Sequence, residues 1–229
     1  MKNRTITPGL YLLTAVCGVV DATCFLGLGN VFADIMTGNI MFLAFRIGQG
    51  QVDSSLALYL VPLIFFSVGA VACGYLLWNQ RLAGRRRHGF VAVAVLVGVA
   101  AVLALVWQPE SFTTYSMVIV GILALGMGMQ NAMVLYHLVP DVATNVMTLT
   151  LVRLLSNWSI VGGTNARWHF RTGALLIFFA SAAAGAFLVR FGPATGLLTA
   201  FVVYLVALPF LVLAKSPADP APDSPAPVA

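Results

Sequence analysis

Six long apolar segments, almost free of charged side chains, are the feature that most constrains how this chain can fold. A helix needs about 20 apolar residues to cross the hydrocarbon core of a bilayer. Only 8% of the residues are charged and the mean hydropathy is +0.96, whereas a soluble domain is about one-quarter charged. The sequence therefore predicts an all-α, polytopic membrane protein. The predicted crossings are Pro8–Gly29, Leu56–Gln80, Gly89–Trp107, Thr114–Tyr136, Gly173–Arg190 and Ala194–Ala214.

Two further segments, Val31–Gln49 and Val139–Asn157, combine polar or helix-breaking residues with short apolar stretches. Their continuous apolar parts are too short to cross a bilayer alone. Each is either a full crossing broken in its middle or a re-entrant half-helix.

The sequence repeats around these two segments. Three ordered matches, at offsets of 110, 111 and 113 residues, predict an internal repeat of about 8–107 and 114–214 within a single transmembrane domain, residues 1–214. The Pro-rich tail, 215–229, is predicted to be disordered. The matches are Gly18-Val-Val-Asp-Ala with Gly128-Met-Gln-Asn-Ala, Met36-Thr-Gly-Asn with Met147-Thr-Leu-Thr, and Leu63-Ile-Phe-Phe with Leu176-Ile-Phe-Phe.

The basic residues indicate how the two repeats are oriented. If both short segments re-enter, every basic cluster lies on one side with both termini, and Asp53 and Glu110 lie on the other. Because Lys and Arg are enriched in cytoplasmic loops, we expect six crossings, two short discontinuous helices and cytoplasmic termini. Three crossings per repeat then make the repeats inverted, an arrangement found in transporters. The basic clusters are Lys2 and Arg4, Arg81 to Arg87, Arg167 and Arg171, and Lys215.

Asp21 lies near the middle of the first predicted crossing. A charge at this depth costs about 2.5–3.5 kcal/mol on insertion scales, so the side chain should face protein or water. It is either a proton, cation or ligand site, or a structural carboxylate that caps free N–H groups of the broken segment. The repeat places Asn131 opposite Asp21, with Gln130 alongside.

A half-helix beginning near Thr37 would direct its unpaired N–H groups toward the middle of the membrane. Gly38 would allow close approach of a backbone or ligand, and Asp34 and Asp141 are expected to be N-caps. These features predict a substrate site at the interface of the repeats. Its members are Asp21, Thr37, Gly38, Asn39, Gln130, Asn131, Thr148 and Thr150.

Nothing in the sequence resembles hydrolytic or redox machinery. It contains no G-x-S-x-G, H-E-x-x-H or P-loop motif, so we expect no enzyme activity, cofactor or metal. Cys17, Cys24 and Cys73 lie in apolar segments and are interpreted as small buried hydrophobes. The short basic runs favour membrane topology over nucleic-acid binding.

The motifs Gly-x-Val-Asp-Ala, Met-Thr-Gly-Asn and Gly-x-Gln-Asn-Ala resemble the YoaK-like family of small bacterial membrane proteins, catalogued as a domain of unknown function. The resemblance covers the chain except its tail and implies a bacterial inner-membrane protein. The family's second-half motif usually looks like Thr-Gly-Thr, whereas Leu149 stands here at the glycine position. If close approach is needed there, this side of the site is narrower or more apolar.

The leading hypothesis is a transporter or channel for a small polar or anionic solute, with Asp21 as the proton- or cation-coupling group. The alternative is a non-transporting membrane scaffold or partner subunit, whose polar centre closes a compact helical core. The sequence indicates no partner other than the bilayer and the solute. It is compatible with a homo-oligomer as well as with a monomer.

Overall fold

The computed structural model describes residues 7–53, 55–79, 88–136, 147–165 and 167–213. Six helices in these ranges are long and apolar enough to cross a membrane, and two are shorter, which confirms the predicted all-α, multi-pass membrane fold. The helices are α1 (Thr7–Thr23, continued by a π-helical turn, Cys24–Gly29), α2 (Met36–Gly48), α3 (Leu56–Trp78), α4 (His88–Trp107), α5 (Thr114–Tyr136), α6 (Met147–Ser156), α7 (Trp168–Val189) and α8 (Pro193–Val212).

Both ends of the described chain lie at one end of the helix bundle, here called the terminal face. Gly9 at the start of α1 packs against Phe210 and Leu211 at the end of α8. The hydroxyl of Tyr11 donates to the carbonyl of Phe170 at the start of α7. The terminal face therefore joins the start of α1, the end of α8 and the start of α7.

The opposite face joins the other ends of these helices. Gly27 in the π-helical turn packs against Val189 and Pro193, between α7 and α8. The N–H of Phe112, in the α4–α5 connection, donates to the carbonyl of Leu28. The end of the π-helical turn, the α7–α8 turn and the α4–α5 turn therefore lie together.

The remaining ends are fixed by two further contacts. The rings of Trp78 and Tyr136 meet edge to face, which pairs the end of α3 with the end of α5. Leu58, near the start of α3, lies against Gly29 at the opposite face. Each of the six long helices thus runs from one face to the other, and α3 begins at the face where the π-helical turn ends.

The short helix α2 does not cross the bundle. Its 13 residues span about 20 Å, against a hydrocarbon core of about 30 Å. The chain reverses after Gly29, returns to the depth of Asp21, and α2 then leads back toward the start of α3. There the Arg46 guanidinium donates to the Ser55 hydroxyl at 2.6 Å. The segment from 30 to 48 is therefore re-entrant.

The α2–α3 connection at the opposite face carries a small charged cluster. Asp53 accepts hydrogen bonds from the hydroxyl and N–H of Ser55, and its carboxylate lies 4.0 Å from the Arg46 guanidinium. The Ser55 hydroxyl, its N–H and, to a smaller degree, the charge of Arg46 lower the pKa of Asp53. Arg46 is thus held by the connection that follows its own helix.

The second short helix, α6, packs against α7. The buried guanidinium of Arg171, in the first turn of α7, donates to the carbonyl of Arg153 at 2.6 Å. The end of α6 therefore lies at the terminal face, where α7 begins, and its 10 residues span about 15 Å, too little to cross a bilayer. Like α2, α6 does not cross.

The two halves have equivalent neighbours. α1 packs mainly against α7 and α8, α5 packs mainly against α3 and α4, and α4 contacts α8. Gly18 of α1 lies against the backbone of Phe178 in α7, and Gly128 of α5 lies against the backbone of Phe66 in α3. Exchanging α1 with α5, α3 with α7 and α4 with α8 leaves this pattern of neighbours unchanged.

Several predicted features lie outside the described residues. They include the tail, 215–229, and the basic clusters at Lys2, Arg4, Arg81 to Arg87 and Lys215, as well as Asp141. The division of the chain into one domain and a tail stays a prediction.

Candidate functional site

The carboxyl group of Asp21 lies inside the bundle, about 12 Å from the end of the π-helical turn at 1.5 Å per residue. The side chain is 3% exposed. Its Oδ1 accepts hydrogen bonds from the backbone N–H groups of Ala33 and Asp34, each at 2.9 Å. Asp21 therefore provides hydrogen-bond acceptors for two N–H groups of the non-helical backbone that returns into the bundle.

The local sequence explains why the chain reverses here. The helix widens into a π-helical turn after Thr23, and the N–H of Asn30 donates back to the carbonyl of Phe25. Gly29 has φ +146° and Asn30 has φ +56°, conformations that Gly and Asn tolerate better than other residues. π-helical turns occur frequently at functional sites.

Asp34 is a second buried carboxyl beside Asp21, with 2% of the residue exposed. The side-chain amide of Asn131 donates to Asp34 Oδ1 at 2.6 Å. The prediction that Asp34 is an N-cap is wrong: Ile35 precedes α2 and no side chain caps it. Asn131, which the repeat places opposite Asp21, instead links α5 to the re-entrant segment through Asp34.

Asn39 braces the re-entrant segment from the other side. Its Oδ1 accepts the N–H of Phe32 at 2.9 Å, and its Nδ2 donates to the carbonyl of the same residue at 2.7 Å. A Cβ at Gly38 would lie 2.8 Å from the Phe32 ring, so the close approach that Gly38 permits is taken by that ring. The Phe32 ring also stacks on Phe25, with centroids 4.9 Å apart.

A thiol and two further polar side chains complete the centre. The side-chain amide of Gln130, which is fully buried, donates to Cys17 Sγ at 3.2 Å. Tyr204 of α8 is fully buried and belongs to the same core cluster as Cys17. We call Cys17, Asp21, Asp34, Gln130, Asn131 and Tyr204 the polar centre.

The structure brings some of the predicted site residues together and separates others. Asp21, Gln130 and Asn131 belong to the polar centre, and Asn39 and Gly38 support it through Phe32. Thr150 is buried on α6, but Thr37 and Thr148 are exposed. The predicted pair of Thr37 and Thr148 hydroxyl groups therefore does not face the centre.

Three members of the polar centre, Cys17, Asp34 and Tyr204, were not among the predicted site residues. Asp34 carried a usable signal, because it is one of only seven acidic residues in the chain and lies within a broken apolar segment. Cys17 lies four residues before Asp21, on the same helix face. Tyr204 lies near the middle of the last predicted crossing, away from the interfaces where tyrosine is enriched, so its position was also a usable signal.

The charge of the polar centre is uncompensated. Within the described ranges, neither Asp21 nor Asp34 has a Lys or Arg partner, and the recorded ion pair, Arg46–Asp53, lies at the opposite face. In the same ranges, no group of three or more His, Cys, Asp or Glu could hold a metal ion. Two buried carboxyls without a positive neighbour are stable only when a proton or cation reduces their charge. The arrangement is therefore suited to binding and releasing positive charge.

The comparisons with known proteins identify the family of this chain. Residues 9–210 match a family described as "Protein of unknown function (DUF1275)", which confirms the resemblance drawn from the sequence motifs. No curated protein and no solved structure matches the chain.

Proposed function

Because this chain belongs to the DUF1275 family, whose function is unknown, we propose a function from its own polar centre: it is a membrane transporter for a small polar solute. The solute passes where the re-entrant segment meets α1 and α5. Asp21 and Asp34 bind the proton or cation that drives its movement. The proposal assigns the protein no catalytic reaction.

The observation that carries this proposal is the pair of uncompensated carboxyls inside a multi-pass membrane protein. Ionisable residues at membrane depth are costly and mark ion pathways or proton relays. Asp21 and Asp34 lie where non-helical backbone enters the bundle. Irregular backbone at this depth is tolerated only where it is buried in protein or lines a cavity.

The internal symmetry supports a transporter. The three sequence matches fall at nearly constant offsets, and the helices they relate have equivalent neighbours. Gly18 and Gly128, matched in sequence, make equivalent close backbone contacts. We propose that the halves are inverted repeats, which in transporters rock about a site near the middle of the membrane.

The position of the basic residues supports an orientation. Arg167 and Arg171 belong to the terminal face, and the loop containing Arg81 to Arg87 connects two helices that end and begin there. By the positive-inside rule, we place the terminal face, with both termini, on the cytoplasmic side of a bacterial inner membrane.

The chemistry of the centre favours a neutral polar solute over an anion. The N–H groups of Ala33 and Asp34 are already bound to Asp21, and the hydroxyl of Thr37 faces away. An anion would meet carboxylate and amide oxygens, which repel it. A solute with hydroxyl or amide N–H groups would instead donate to these acceptors.

One observation favours a second candidate, the non-transporting scaffold. Asp21 and Asp34 are almost wholly excluded from solvent, as expected of a polar centre that only closes a helical core. A scaffold, however, gains nothing from buried oxygens without donors, and each carboxyl retains one. The two candidates make opposite predictions for solute entry.

The test is solute entry into proteoliposomes that contain the full chain. Urea, glycerol and xylitol are supplied outside, and light scattering records swelling while trapped pyranine records internal pH. We expect at least one solute to enter faster than into protein-free vesicles, with Asp21→Asn or Asp34→Asn slowing entry at least tenfold.

Glu110→Gln is the matched control, because Glu110 is an exposed carboxyl on the α4–α5 turn, remote from the polar centre. It should leave entry unchanged. Equal swelling rates for all three solutes, with and without protein, would contradict transport of neutral solutes and favour the scaffold. Entry that persists in both Asp variants would contradict the assigned site.

A further inference from the structure

Four buried side-chain atoms lack a hydrogen-bond partner among the described residues, and all four belong to the polar centre. They are Oδ2 of Asp21, Oδ2 of Asp34, Oε1 of Gln130 and the hydroxyl oxygen of Tyr204. The first three are acceptors when the carboxyls are ionised. Buried polar atoms are nearly always paired, so three acceptors of the centre lack a donor, and the Tyr204 hydroxyl, itself a donor, lacks an acceptor.

The hydrogen bonds already present leave the two carboxyls in different situations. Asp21 Oδ1 receives two backbone N–H groups at 2.9 Å. Asp34 Oδ1 receives one side-chain amide, from Asn131, at 2.6 Å. Because Asp34 donates its own N–H to Asp21, the two carboxyl groups lie near each other, and adding a proton to either one relieves the repulsion between like charges and supplies an O–H donor.

The other titratable groups around the pair cannot supply that proton near neutral pH. They are Cys17 on α1, Cys24 in the π-helical turn, Cys73 on α3 and Tyr204 on α8, while α2 and α5 contribute the amides Asn39, Gln130 and Asn131. Thiols and phenols ordinarily keep their protons in this range. No described His, Lys or Arg joins them, so the two carboxyls alone change charge here.

We propose that Asp21 and Asp34 form a proton-binding site that holds one exchangeable proton between them. The inference rests on the proposed function, because it identifies the ion that couples at the site. A metal ion fits less well, since hard cations take six or more oxygen ligands and the described residues offer three unpaired acceptors in addition to the Tyr204 hydroxyl.

The location of the proton has a consequence for the re-entrant segment. An ionised carboxylate is the stronger acceptor for the N–H groups of Ala33 and Asp34. When the proton is on Asp34, Asp21 holds the segment firmly; when the proton is on Asp21, these two hydrogen bonds weaken. Proton exchange with water therefore acts on the segment that separates the centre from the opposite face.

The test is infrared difference spectroscopy of the full chain in lipid vesicles, without solute. We expect one protonated carboxyl near neutral pH, seen as a C=O stretch that shifts in heavy water and disappears as the pH rises. The band should disappear at a lower pH in Asp21→Asn and in Asp34→Asn, because the remaining buried carboxyl no longer faces a second negative charge. Glu110→Gln should keep it.

Several results would overturn the proposal. These are the absence of a protonated carboxyl from the wild-type chain near neutral pH, a band that titrates in both variants at the wild-type pH, and loss of the band when sodium chloride replaces N-methylglucamine chloride at constant pH. The last result would indicate a metal-cation site. The wild-type titration decides the question even if a variant does not fold.

This outcome is separable from the swelling assay. A carboxyl band with no solute entry leaves the proton site standing and removes transport. Solute entry without a carboxyl band supports transport and contradicts the proton site.

Discussion

Two side chains hold the non-helical backbone that enters the bundle. Asp21 accepts the N–H groups of Ala33 and Asp34, and Asn39 binds both the N–H and the carbonyl of Phe32. Backbone groups removed from water must find partners within the protein. At the residue scale, the re-entrant segment therefore depends on these side chains.

Asn39→Ala should destabilise the protein by about 2–4 kcal/mol, because it removes two hydrogen bonds and leaves a buried N–H and carbonyl unpaired. Thr37→Ala is the matched control, since Thr37 lies on the same helical turn but is exposed; its effect should be within about 0.5 kcal/mol. The measurement is reversible unfolding in mixed micelles by SDS. Equal effects of the two substitutions would show that Asn39 does not brace the segment.

The sequence indicated only part of the polar centre. Asp21 could be singled out because a charge in an apolar helix is costly, and Asn39 because its motif recurs. The contact between Asn131 and Asp34 could not be predicted, because it depends on how far the chain folds back after Gly29. A repeat relates positions by symmetry and does not specify which side chains meet across it.

At the element scale, two glycines set the distance between the most closely packed helices. Gly18 leaves no room for a methyl group against Ser181 and Phe178 of α7, and Gly128 leaves none against Phe66 and the following turn of α3. Small residues at such contacts let the backbones of membrane helices approach closely. The α1–α7 and α3–α5 pairs therefore depend on these glycines.

Gly18→Ala and Gly128→Ala should each destabilise the protein by about 1–3 kcal/mol through overpacking. The control is Gly74→Ala in α3, because a Cβ there meets nothing within 4 Å. Alanine at position 74 should be neutral or stabilising by up to about 1 kcal/mol, since it favours helix over glycine. Thermal unfolding in detergent gives all three values, and a neutral result at both positions 18 and 128 would contradict the close contacts.

The existence of each long helix was predictable, whereas its ends were less so. The first five residues of α7, from Trp168, lie before the predicted start at Gly173, because hydropathy does not register a polar first turn anchored by Arg171. For α2, the helix begins at Met36, one residue from the predicted start near Thr37, and the hydrogen bonds of Ala33 and Asp34 to Asp21 keep these two residues out of the helix. Tertiary contacts set these ends.

At the scale of the whole molecule, six described helices are long enough to cross a membrane, and the two short helices, α2 and α6, do not cross. The described chain begins and ends at the terminal face, and the α2–α3 and α4–α5 connections share the opposite face. Charge placement favoured this arrangement over eight crossings, because only six put all basic clusters on one side. The neighbours of the helices could not be predicted from charge.

Cysteine labelling in oriented vesicles tests the path of α2 directly. Asn30→Cys and Val52→Cys flank the re-entrant segment at exposed positions, and Ile160→Cys lies in the exposed turn between α6 and α7. A membrane-impermeant maleimide should label positions 30 and 52 from the same side and position 160 from the other. Because Cys17, Cys24 and Cys73 are fully buried, the unsubstituted chain should stay unlabelled and serves as the control. Labelling of positions 30 and 52 from opposite sides would mean that α2 crosses the membrane, which would place the α3 start and the π-helical turn on different faces and break the contact between Leu58 and Gly29.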